Sequence, residues 1–246
     1  MPCDTAPKLP PLAAYLYLLH ADSTSLAWEY LRRNPAYQQA AANEVAAADW
    51  GLESFVDPLR DAVSASPSWL AERQLGLQLQ PDLDAEPGTP GFDLWALAGR
   101  KQVEHDGCKL RISCFTGFRV LRLAIAKGLG HGMAYCYALK MGLCLCDAWR
   151  SWLDQLMRFD RQEPLGAATH PRPSRTTMTH LRTLIALDAQ AAGASHRDIA
   201  VLLFGSDEAD QRWHADSELR AQVRHLLKRG HAYVNGNYRK LLTATS

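Results

Sequence analysis

The chain has 246 residues, 47% hydrophobic and 22% charged, with a formal net charge of +1. That length and balance fit one large or two small folded domains and exclude wholesale disorder. No apolar run approaches the roughly 20 residues that span a bilayer, and Met1-Pro2-Cys3-Asp4 lacks the basic start of a secretory signal, so a cytoplasmic protein with no membrane association is expected.

The net charge hides an asymmetry. Residues 1–99 carry 5 Lys and Arg against 13 Asp and Glu, residues 100–169 carry 11 against 6, and residues 170–246 carry 11 against 7 with six of the nine histidines. No acid follows Glu218. An acidic front and a basic tail suggest a protein partner for the first and a polyanion for the second.

At the front, Leu12 to Leu19 is a short buried segment of open type. Asp22-Ser23-Thr24-Ser25 offers caps for a helix from Leu26 to Arg33, with Trp28, Tyr30 and Leu31 inward and Arg32 and Arg33 in the last turn. Asn34-Pro35 ends it, and an alanine-rich helix runs from Tyr37 to about Ala48. Further helices are expected around Phe55 to Val63 and from Trp69. Gln78 to Gly91 is rich in proline, glycine and acids and reads as a loop and domain boundary.

The middle changes character. Phe92 to Leu97 looks like a strand. Asp106-Gly107, between Val103–His105 and Lys109–Ser113, is a strong hairpin signal. Arg119 to Ile125 and Ala134 to Leu139 add strands, and Asp147 opens a helix to about Phe159. Pro164 to Arg175 reads as a linker whose Arg172 and Arg175 are either phosphate contacts or solvated charges. Cys3, Cys108, Cys114, Cys136, Cys144 and Cys146 form no Cys-x-x-Cys pair. They read as small buried residues in a reducing compartment, and no metal or cofactor is expected.

The tail is the most informative region. Thr176 or Thr177 caps a helix carrying Leu181, Leu184 and Ile185. Gly193 ends it, and Ser195 with Asp198 makes a capping-box pattern for a helix with Ile199, Leu202 and Leu203 on one face, closed by Gly205. A polar loop, Ser206 to His214, follows. Ser217 caps a third helix on which Leu219, Val223, Leu226 and Leu227 form an apolar stripe. Arg220, Arg224 and Lys228 are spaced by four on another side, and Gln222, His225 and Arg229 extend that polar surface. Asn235-Gly236 turns the chain into a last segment with Arg239 and Lys240 at its surface. A basic helix backed by leucines suits a major groove, where arginine reads guanine and glutamine reads adenine; a solvated amphipathic helix is the alternative. The candidate DNA contacts are Arg197, Arg220, Gln222, Arg224, His225, Lys228, Arg229, Arg239 and Lys240. No P-loop, Gly-x-Ser-x-Gly, His-Glu-x-x-His or dinucleotide fingerprint is present, so no catalytic residue is assigned and an enzyme is not expected.

The expected fold is therefore α+β. It is mainly helical, with a small antiparallel sheet in the middle and a helix-turn-helix-like unit at the end. The expected division is a helical regulator-like domain over 1–77, a linker over 78–91, sheet plus helix over 92–163, a linker over 164–175 and the DNA-binding unit over 176–246.

Two blocks carry a family resemblance. Trp28-Glu29-Tyr30-Leu31-Arg32-Arg33-Asn34-Pro35-Ala36-Tyr37 looks like the short transcriptional-regulator-like domain of proteobacterial mobile elements. Leu187-Asp188, Gly193-Ala194-Ser195, Arg197-Asp198-Ile199-Ala200, Leu203-Phe204-Gly205, Trp213, Ser217, Arg220, Val223-Arg224 and Gly236-Asn237-Tyr238-Arg239 are similar to a C-terminal DNA-binding domain long catalogued as of unknown function. Together they resemble transcriptional activators of integrative and conjugative elements. His196, His225 and Asn237 depart from the pattern. The resemblance implies double-stranded DNA as partner, activation of excision and transfer genes, and silencing by a small antiactivator protein, while RNA polymerase, an antiactivator or a second copy stays open as the partner of the acidic front. The alternative is an antiactivator-like regulator that keeps the fold with little DNA affinity.

Overall fold

The computed structural model describes residues 11–44, 46–65, 67–70, 77–105, 109–116, 119–138, 156–157, 173–214 and 217–242. It is an α+β protein whose residues fall into two compact units, one drawn from the front and the tail of the chain and the other from its middle.

In the first unit a 3-10 helix, Leu12–His20, lies along the tail helix Arg175–Ala191, with Tyr15 and Leu18 buried. Helix α1, Ser23–Leu31, starts at Asp22, whose carboxylate accepts from the Ser25 N–H at 2.8 Å. Trp28, Tyr30 and Leu31 face inward as expected, each fully buried. Arg32 and Arg33 do not sit in its last turn, because α1 closes at Leu31. They turn back instead to the fully buried carboxylate of Glu29, at 2.7 and 2.6 Å. A buried carboxylate attracts a cation far more strongly than the partial charge of a helix end does. Asn34 then caps α2, Pro35–Asn43, by accepting from the Ala36 and Tyr37 N–H groups. The helix expected from Phe55 shrinks to α3, Ala62–Ala65, since Pro58 lies inside the stretch.

The tail supplies α4, Arg175–Ala191; α5, His196–Phe204; α6, Ser206–Arg212; α7, Glu218–Ala232; and, beyond a π-helical turn at Tyr233–Asn237, α8, Tyr238–Leu242. Ser174, not Thr176 or Thr177, caps α4, so Arg175 belongs to a helix rather than to a linker. The expected polar loop at Ser206 is α6. Gly205, at φ 95°, reverses the chain directly into it, and Asp207 and Glu208 suit its first turn. Ile199, Val223, Leu226 and Leu227 are the heart of the core that α4, α5 and α7 share.

Front and tail are joined by polar contacts inside this unit. Arg33 makes a two-pronged ion pair with Asp188 of α4, both bonds 2.7 Å, and the Tyr15 hydroxyl donates to the same carboxylate at 2.7 Å. Burial would raise the Asp188 carboxyl, but Arg33 and Tyr15 outweigh it and hold it below the usual carboxylate range. The Asn34 amide donates to the Val234 carbonyl at 2.8 Å, and Tyr30 stacks on Tyr233 at 4.7 Å between ring centres. Buried His180 lies 2.8 Å from the Tyr30 hydroxyl through Nδ1 and 3.3 Å from the Arg229 guanidinium through Nε2. Arginine only donates, so Nε2 is the acceptor and Nδ1 carries the proton.

The second unit is built on a five-stranded sheet of order β2-β3-β4-β1-β5. Its strands are β1, Leu77–Pro81; β2, Arg100–His105; β3, Lys109–Thr116; β4, Arg119–Ala126; and β5, Tyr135–Ala138. β2 and β3 pair antiparallel on either side of Asp106-Gly107, as that dipeptide predicts. Three expectations fail. The loop expected from Gln78 begins inside β1, which pairs parallel with β4 and makes the sheet mixed. The period-two Leu77-Gln78-Leu79-Gln80 is the strand signal that the proline and acids after it obscure. Phe92–Leu97 is a turn rather than a strand, since the Asp93 side chain accepts from the Trp95 N–H at 2.8 Å and bends the chain. Trp69 forms a bridge with Leu52 instead of starting a helix. The helix expected at 147–159 lies outside the described residues except Leu156 and Met157, with Leu156 packed against the sheet core. The stretch 164–172, with Arg172, lies outside them too, as do Cys3, Cys108, Cys144 and Cys146.

Two measurements check this packing. At Gly230 of α7 an added Cβ would lie 2.7 Å from Leu187 Cγ of α4. Gly230→Ala raises helix propensity by about 1 kcal/mol, but overpacking costs about 1–3 kcal/mol. Urea unfolding should therefore show net destabilisation; a more stable variant would mean that the two helices do not meet there. The second concerns His180. Burial, then the charge of Arg229, push its imidazole from 6.5 down to about 4. Above pH 6.5 neither state is protonated and stability is unaffected. As pH falls from 6.5 towards 4 the unfolded chain takes a proton that the folded chain refuses, and up to about 3 kcal/mol is lost. His180→Gln should flatten this part of the stability–pH profile, and an unchanged slope would contradict the assignment.

Candidate nucleic-acid interface

The local sequence chemistry of the tail sets the geometry. Gly193, at φ 88°, closes α4 and feeds Ser195. Ser195 Oγ accepts from the Asp198 N–H at 3.2 Å while the Ser195 N–H donates to the Asp198 carboxylate at 2.9 Å. The Ser195 hydroxyl, which donates to the Asp198 carboxylate at 2.7 Å, and then the Ser195 N–H hold that carboxyl below its usual range. The capping box fixes where α5 starts, and Ile199 and Ala200 then bury against the core. At α7, Ser217 Oγ accepts from the Arg220 N–H at 3.2 Å. Leu219, Val223, Leu226 and Leu227 are buried, which sets the rotation of the helix and decides which residues point away.

The candidate residues separate into groups. Arg220, Arg224 and Lys228 are all exposed, one turn apart along a single side of α7, with His225 exposed beside them. Arg224 and Lys228 have no ion-pair partner among the described residues. Gln222 is exposed but lies on the flank nearer α4, where its amide reaches the Glu218 carboxylate at 3.3 Å. Arg229 is the exception to the expected outward surface. It is half-buried against His180, with its guanidinium carbon 5.5 Å from the Tyr233 ring centre, because its place on the helix faces α4. Arg197 is exposed on α5 and paired with Asp210 of α6 at 2.6 Å. Arg239 and Lys240 are exposed on α8, with the Arg239 guanidinium 5.3 Å from the Tyr238 ring centre.

A cleft of about 420 Å³ adjoins the basic helix, lined by Thr179 and Arg182 of α4, Phe204 of α5, and Glu218, Gln222 and His225 among others on α7. Arg182 lies over the Phe204 ring at 5.6 Å. Sequence reasoning did not single out Arg182. Its only signal is one exposed arginine on a helix otherwise read as support, and no local pattern places it beside Phe204.

The arrangement offers a convex helix with a cationic side, anchored by its own apolar side. An α-helix of this kind fits the major groove, with arginine reading base edges and lysine holding phosphates. Among the described residues no group of His, Cys, Asp and Glu could hold a metal ion, and no helix is long and apolar enough to cross a membrane.

Comparisons with known families agree with this geometry. Residues 143–243 match the model of a family described as a T6SS transcription factor DNA-binding domain. Residues 12–55 match a proteobacterial transcriptional regulator-like domain, and residues 74–116 match a domain of unknown function. No curated protein matches the chain. The basic helix α7 lies inside the first match and the Glu29–Arg33 turn inside the second, and together these two matches support a DNA-binding transcriptional regulator.

Proposed function

We propose that the chain is a sequence-specific transcriptional activator that lays α7 in the major groove of double-stranded DNA. The observation that carries this reading is the exposed, acid-free side of α7. Arg220, Arg224 and Lys228 follow one another at single-turn spacing, and Glu218 is the last acid of the chain. Phosphate neutralisation by such residues supplies most of the affinity, and base contacts supply the selectivity. Arg224 and Gln222 read bases; Arg220, Lys228 and the more distant Arg197, Arg239 and Lys240 hold the backbone. Arg197 does so by exchanging Asp210 for a phosphate. Arg229 acts from within by bracing α7 on α4. The resemblance of the two blocks to activators of integrative and conjugative elements supports excision and transfer genes as the targets.

Footprinting on the upstream regions of the element that carries the gene tests the targets, and titration against the protected sequence tests the residues. Arg224→Ala should weaken specific binding by about 1–3 kcal/mol and relax selectivity at one position. Lys228→Ala should weaken all sequences alike and lower the salt slope by about one ion. Affinity that does not change with salt would overturn the reading in favour of a protein-binding regulator of the antiactivator kind.

A further inference from the structure

The second unit carries an unusual surface at the end of the sheet where β1 and β4 finish and β5 begins. Two connections meet there, residues 82–99 between β1 and β2 and residues 127–134 between β4 and β5, and they are tied together. The Phe92 N–H donates to the Met133 carbonyl at 2.8 Å, the Gly132 N–H to the Phe92 carbonyl at 2.8 Å, and the Asp82 N–H to the Ala134 carbonyl at 3.0 Å. The backbones approach so closely that a Cβ on Gly91 would sit 2.3 Å from the Gly132 oxygen. Buried Phe92 anchors the junction edge-on to Tyr135. From this fixed base Trp95 is 77% exposed, Leu83 87% and Met133 40%. Large apolar groups held out in water on a hydrogen-bonded platform mark a contact surface, and tryptophan is among the strongest anchors such surfaces use. The ordering cost of the platform is already met by its own hydrogen bonds.

Charge identifies the occupant. The loops carry Asp82, Asp84, Glu86 and Asp93 against a single lysine, Lys127, and His131 already faces Asp93 at 3.6 Å. Nucleic acid and an anionic lipid surface are repelled by such a rim. A second copy of the same tip would set acid against acid. The complement is a protein face that is apolar at its centre and basic around it. We infer that this tip, which carries exposed Trp95 and Leu83 together with Asp84 and Glu86, is the surface through which the DNA-bound chain contacts a basic, apolar face of the transcription machinery. The inference rests on the activator reading, and its test separates the two.

The test uses the full chain, an operator recovered by selection from random DNA, that operator placed upstream of a core promoter, and purified RNA polymerase holoenzyme. DNA affinity and transcript yield are read separately. Trp95 is exposed, so Trp95→Ala should leave the fold intact by circular dichroism and DNA affinity within about twofold, while stimulated transcription falls about tenfold or more. Asp84→Asn with Glu86→Gln should reduce stimulation less and blunt its salt dependence. Trp95→Phe should restore part of it. The tip is not the contact if Trp95→Ala stimulates like the parent chain or loses stimulation only in step with DNA affinity. The same holds if the parent binds its operator without stimulating polymerase. A parent chain that selects no DNA would instead sink the DNA-binding reading, and this inference with it.

Discussion

The first unit depends on one fully buried carboxylate. Glu29 accepts from Arg32, from Arg33 and from the Ala62 N–H, so protein groups surround this buried carboxylate. A buried charge without partners is costly enough to unfold a domain. Here the partners extend the pairing outward, since Arg33 continues to Asp188 and Asp188 continues to Tyr15. The result is a chain of alternating charge running from the regulator-like segment into α4, the helix on which α7 rests. The orientation of the basic helix is thus set at two levels. Its leucines choose its rotation, and the charged chain holds the support beneath it.

This arrangement changes how the front segment is understood. Residues 12–43 could have been a separate adaptor. Instead Tyr30, His180 and Tyr233 pack ring against ring, and Asn34 holds the Val234 carbonyl. Arg229 is drawn into the same group, which explains why it leaves the row that Arg220, Arg224 and Lys228 form. One residue of an apparently continuous polar surface is therefore structural, held against the Tyr233 ring and His180 while the row itself stays exposed.

Local chemistry was readable in the sequence. Ser195 with Asp198, Ser217 and Asn34-Pro35 act within a few residues of themselves, the first two capping the helices that their type and spacing predict and the third separating α1 from α2, and β2 and β3 pair antiparallel as the hairpin signal between them predicts. The apolar stripe of α7 was equally plain, and with it the outward side of Arg224 and Lys228. What could not be read depends on partners far along the chain. β1 is a strand because β4 and β5 flank it, although only five residues carry it. Arg32 and Arg33 look like helix-end cations until Glu29 is known to be buried. The ion pair of Arg33 with Asp188 spans 155 positions and leaves no periodic trace. α6 was hidden for a different reason, since a short polar helix has the composition of a loop.

The first unit is assembled from three stretches, two near the front that end at Ala65 and one from the tail, with most of the sheet unit encoded before the last of them. On the ribosome the leading stretch therefore emerges with a charged cluster and several aromatic rings whose counterparts have not yet been translated. The sheet is complete first. The leading residues keep their contacts with Val56, Arg60 and Ala62, but Asp188, His180 and Tyr233 arrive only with the last helices, so a chain cut short between the sheet and α4 would lack the basic helix together with the partners of Arg33 and Tyr30.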